Sequence, residues 1–111
     1  MENENYKQMV RNNYKESDIY ELWHSYWKRK SQVRDFKARG WKDDAKNGEL
    51  EMKVMAELMR EIHPSIKERF YKEIEVQYHH SGECAQNLDN ALHAVEELEF
   101  FKTEILNRNE N

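Results

Sequence analysis

One cysteine, one proline and three glycines in 111 residues exclude several kinds of protein. The single Cys84 can form neither an internal disulfide nor a paired-cysteine zinc site. All-β folds use turn residues much faster than this chain supplies them, so helices are expected. No run approaches the ~18 apolar residues of a membrane-spanning helix. The polar opening MENENYKQ resembles neither a signal peptide nor a transit peptide, and a soluble, cytoplasmic protein is expected. Catalytic signatures are missing as well: there is no G-x-S-x-G, no phosphate-cradling glycine loop and no dinucleotide fingerprint. The expectation is therefore a protein that is not an enzyme and has no cofactor.

Charge and helical periodicity are plentiful. Charged residues make up 36% of the chain and apolar ones 38%, so a folded form must gather its apolar groups into stripes, as amphipathic helices do. The longest such pattern lies between Ser81 and Leu106. There Cys84, Leu88, Ala91, Val95, Leu98 and Ile105 recur at spacings of four, three, four, three and seven, with Leu92, Phe101 and Leu106 on one flank. Ser81 suits an N-cap and Glu83 the helix dipole. The pattern predicts one long amphipathic helix over 81–106 that other helices, or a second copy of the chain, must cover.

Four further segments precede it. Tyr6, Met9, Val10 and Tyr14 give residues 1–16 a short amphipathic pattern with frayed ends. Ser17 and Asp18 open a helix over about 18–39 with Gly40 as its stop. Its buried face is predicted as Ile19, Leu22, Trp23, Tyr26, Val33 and Phe36. From Trp41 to Gly48 the signals conflict, and a loop or broken turn is favoured. Glu49 to Ile62 carries Leu50, Val54, Leu58 and Ile62 on one face, with Met52, Met55 and Met59 beside it as core filling, as Met9 is elsewhere. His63-Pro64 ends that helix and starts another, where Ile66, Phe70, Ile74 and Tyr78 recur every four residues. A disordered tail is expected after Leu106. The predicted fold is all-α, a single domain over 1–111: a four- to five-helix bundle or helical array with a long C-terminal amphipathic helix.

The net charge of -4 hides a segregation. Residues 28–46 hold eight basic and three acidic groups, whereas residues 47–111 hold seven basic and fourteen acidic. From Tyr20 to Lys42, the rings of Tyr20, Trp23, Tyr26, Trp27 and Trp41 interleave with Lys28, Arg29, Lys30, Arg34, Lys37, Arg39 and Lys42. Cations that neutralise phosphates beside rings that stack on bases are the chemistry of a nucleic-acid or nucleotide site. Of these, Tyr26, Trp27, Lys30, Arg34, Lys37, Arg39, Trp41 and Lys42 form the candidate partner or ligand site, with Trp27, Lys30, Arg34 and Lys37 along one side of a helix. The plainer reading places the aromatics in the core and pairs the cations with acidic helices. Trp27 separates the two readings, since the plainer one weakens if that ring is exposed.

Metal binding is not expected. Glu21 and His24 are a lone E-x-x-H pair, Asn90 to His93 repeats the spacing without the carboxylate, and a di-iron bundle needs two such motifs with two more glutamates. His79 and His80 point about 100° apart on a helix. Glu96, Glu97, Glu99 and Glu104 read as a solvated face, and Cys84 as a small buried hydrophobe. The features together predict a small cytoplasmic binding or regulatory protein that occupies a macromolecular partner, most simply another protein. Size and composition suit an inhibitor carried by a phage or other mobile element. A homodimer is expected through Leu88, Val95, Leu98, Phe101 and Ile105, and a nucleic-acid or phosphorylated-ligand binder using residues 26–42 is the alternative.

Overall fold

The carboxylate of Asp18 accepts the Glu21 amide at 2.8 Å and caps a helix where the sequence placed its start signal. The computed structural model describes the backbone of residues 2–84 and 88–107, and the side chains of residues 4–78 and 92–107. The elements are α1 (Glu2–Tyr14), α2 (Ile19–Ala38), α3 (Lys42–Glu61), α4 (Pro64–Cys84), α5 (Leu88–Phe100) and a π-helical turn (Phe101–Leu106) that continues α5. No strand occurs among the described residues, so the fold is an all-α helical array. The chain divides into two compact units, residues 1–61 and 62–111.

In the first unit α2 and α3 form an antiparallel hairpin. Gly40 adopts φ +76°, and the amides of Gly40 and Trp41 return to the carbonyls of Lys37 and Phe36 at 3.1 and 2.9 Å. This is the Schellman ending, in which a left-handed residue just past the helix satisfies the last carbonyls. The chain re-enters a helix at once at Lys42, where Asp43 and Asp44 favour the positive end of the dipole. Here the structure corrects the expected loop over 41–48, because Gly48 lies inside α3. A β-carbon at Gly48 would stand 2.4 Å from Val33 Cγ2, so this glycine permits the two helices to close on each other. Interhelix contact outweighs a helix-propensity cost of about 1 kcal/mol.

The core of this unit is built from Ile19, Leu22, Trp23, Tyr26 and Val33 of α2 with Ala45, Val54, Met55, Ala56, Leu58 and Met59 of α3. Met55 and Met59 are wholly buried, as gap-filling methionines should be, whereas Met9 is half exposed. Helix α1 packs on α3. It contributes Val10 to the buried set, and Arg11 makes a two-pronged pair with Glu61, Nη1 to Oε1 at 3.0 Å.

In the second unit, His63 caps α4 in the position before Pro64. Its Nδ1 accepts the Ser65 amide at 3.1 Å, and its carbonyl accepts the first helical bonds from Ile66 and Lys67. The expected single helix over 81–106 is not observed. Ser81 lies within α4, which runs to Cys84. Serine and glycine lower helix propensity without blocking the main-chain ladder as proline does, so His79–Gly82 continues the helix. Phe70 and Ile74 of α4 meet Phe101 and Ile105, and all four are buried. Phe70 and Phe101 pack edge to face at 5.2 Å, while Tyr71 stacks on Phe101 at 6.1 Å and 12°. The expected tail begins at Asn107, whose amide closes the π turn onto the Lys102 carbonyl at 2.9 Å, and the rest of it lies outside the described residues.

Candidate functional site

The basic aromatic segment spans α2 and the hairpin turn, and the structure divides it three ways. Tyr26 belongs to the core at 9% exposure. Trp27 is half-buried, with edge-to-face contacts to Trp23 and Tyr26 at 5.2 Å each. Its ring is therefore largely a core ring, which favours the plainer reading at this position. A helix turns about 100° per residue, and residues 26 and 33 face α3 while residue 27 lies at the edge of that face. The ring thus closes the side of the core.

The cations separate by their partners, not by helix phase, since Lys30 and Lys37 lie two turns apart on one side of α2. Arg29 and Lys37 face α3 and are taken by its glutamates, Arg29 Nε to Glu51 at 2.9 Å and Lys37 Nζ to Glu49 at 2.6 Å. Arg29 also donates to Gln32 at 2.6 Å. Lys37 is accordingly removed from the candidate surface and becomes a hairpin clasp. Lys30 and Arg34 are exposed. Lys30 Nζ sits 4.7 Å from the centre of the Trp27 ring, a cation-π contact, and Arg34 Nη2 reaches Ser31 Oγ at 3.5 Å.

At the turn, Trp41 is 48% exposed, yet its ring packs on Phe36 at 5.9 Å. That is the apolar contact that accompanies a Schellman ending, so a capping role accounts for this tryptophan. Arg39 lies over the same ring at 5.2 Å. Arg39, Lys42 and Lys46 are exposed there, but Asp35, Asp43 and Asp44 are exposed beside them. Cation and carboxylate balance at the turn, and the basic surplus read from residues 28–46 is not a feature of this tip.

The residues expected to mediate self-association also separate. Phe101 and Ile105 are fully buried within the chain. Leu98 is half-buried on the same side of α5, and Tyr78 of α4 donates to Glu97 at 3.2 Å. Val95 is 62% exposed and Leu92 50%, on the flank of α5 beside Leu98. His93, Glu96, Glu99 and Lys102 border that outer face, all exposed. The side chains of Cys84, Leu88, Ala91, His79, His80 and Asn90 lie outside the described residues. Among the described residues, no group of three or more His, Cys, Asp or Glu side chains is placed to hold a metal ion, and no helix is long and apolar enough to cross a membrane.

Tyr20, the first aromatic ring of the segment, is 53% exposed, and positions 20, 27 and 34 recur two turns apart each time. Comparison of the chain with protein-family models, curated proteins and solved structures found no match.

Proposed function

We propose that this protein works by occupancy, as a non-enzymatic binding protein that engages a protein partner through the outer face of α5. The observation that carries the reading is the exposure of Leu92 and Val95 within one turn of each other, on the side of α5 turned away from Phe101 and Ile105. Leucine and valine held in water by a folded helix gain about 1.5–3 kcal/mol each when fully covered. The border of Glu96 and Glu99 fits a partner whose apolar ridge has a basic rim. A second copy of the chain is the other occupant of this face, and its pairing would set Glu96 and Glu99 near their own counterparts. An inhibitor of a host protein, of the kind mobile elements carry, is the finer form of the proposal and rests on size and composition.

Native mass spectrometry of gently purified protein, wild type beside Val95→Asp, tests the reading. The variant should keep its helical circular dichroism and lose the dimer or the captured protein. Equal assemblies in both proteins, or none in either, would sink the α5 reading. A dimer lost only in the variant assigns the face to self-association.

A further inference from the structure

One flank of α2, beside its buried face, carries a feature that the α5 face does not use. Tyr20, His24, Trp27, Lys30, Arg34 and Ala38 recur at spacings of three and four, and with Ser31 they share one side of the helix. No carboxylate stands among these seven, in a chain with net charge -4. Tyr20 is 53% exposed, Trp27 is half-buried, and the remaining five are exposed. From Tyr20 to Arg34 the strip runs about 21 Å at 1.5 Å per residue. The glutamates of α3 that could have neutralised it are engaged elsewhere, Glu51 on Arg29 and Glu49 on Lys37. Lys28 and Asp35, both exposed, lie along its edge.

We propose that this strip binds single-stranded nucleic acid, with Lys30 and Arg34 on phosphates and Tyr20 offering a face to a base. Cations without carboxylate competition draw a polyanion, and an aromatic ring in line with them distinguishes an unpaired strand from an acidic protein surface. Trp27 supports the strip as a floor: its ring holds the Lys30 ammonium 4.7 Å above it, on the outer side of the helix. A duplex fits less well, because its bases are already stacked and cannot reach Tyr20.

The test is fluorescence anisotropy of a labelled twelve-base oligothymidine with the full chain. Two to three phosphates neutralised on a single strand predict a fall in affinity of about tenfold between 50 and 200 mM salt. Lys30→Ala/Arg34→Ala should weaken binding at least tenfold and flatten the salt dependence. Tyr20→Ala should weaken binding and leave the salt dependence as it was. Lys42→Ala/Lys46→Ala, at the charge-balanced turn, should change affinity by less than twofold. All these side chains except Trp27 are exposed, so circular dichroism should report unchanged helix in every variant. The proposal is overturned by any of four results: no binding at about 50 mM salt, equal loss in the turn variant, equal affinity for a duplex of the same length, or tighter binding of polyglutamate than of the oligonucleotide.

Discussion

Gly48 and Val33 stand at a close approach between α2 and α3, and the effect of substituting Gly48 depends on its neighbour. Alanine in a helix interior is intrinsically better than glycine by about 1 kcal/mol. Gly48→Ala is nevertheless expected to destabilise the protein by about 1–3 kcal/mol, because its methyl would meet the stiff, β-branched Val33 at 2.4 Å. In a Val33→Ala background the same change should become neutral or stabilising, and a double-mutant cycle in urea reads the coupling. Additive effects would show that the contact does not limit the approach. Gly40 differs, since nothing lies within 4 Å of a β-carbon there and only its φ of +76° resists substitution. Gly40→Ala should cost about 1 kcal/mol, and Gly40→Asn less. Phe101 is a third case: it is fully buried between Phe70 and Tyr71. Truncation to alanine should remove about 3–5 kcal/mol, a large fraction of the 5–15 kcal/mol typical of a domain. A midpoint in urea within error of wild type would remove Phe101 from the core of its unit.

Helix α1 is joined to α3 through Val10 and the pair of Arg11 with Glu61, which also brings Glu57 within 3.9 Å. The hydrogen bond from Arg11 holds the Glu61 carboxyl below its ordinary value, and the same bond raises Arg11. A carboxylate depressed in the folded state contributes stability that is complete above its unfolded value, about 4.3, and is lost as pH falls through the folded value. Both side chains are partly exposed, at 33% and 55%, so the contribution is under about 1 kcal/mol. Arg11→Ala should therefore lower stability slightly at pH 7, with the difference from wild type shrinking as pH falls below about 4.3. A difference that grew on acidification would contradict the assignment. The break between inner and outer residues of α5 is also settled at this scale. A heptad-like stripe read from the sequence assumes one regular helix, but the π turn at 101–106 widens the period, and Thr103 Oγ1 donates to the Glu99 carbonyl at 2.9 Å within it. Phe101 and Ile105 turn inward with Leu98, and Val95 is left outside.

For the molecule as a whole, the charge count and the charge field are different quantities. A segment with eight cations and three carboxylates looked uniformly basic in the sequence. Folding pairs two of those cations with α3, sets carboxylates beside those at the turn, and leaves Lys30 and Arg34 exposed on one flank of α2. That strip and the outer face of α5 make separable predictions, one steep in salt and one not, so a single salt series on purified protein distinguishes them.

The sequence by itself determined the fold class and most helix ends. Scarce proline and glycine, stripes at helical spacing, and local capping chemistry at Asp18, Gly40 and His63-Pro64 act within a few residues, and local information suffices for them. The tertiary structure alone decided which side chains remain available. That Gly48 sits inside a helix, that Lys37 and Arg29 are taken by Glu49 and Glu51, that Trp41 closes a cap on Phe36, and that Val95 faces away from Phe101 all depend on what lies opposite each residue. Periodicity names the face of a helix, but only packing supplies the neighbour that buries a ring, neutralises a charge or leaves either in water.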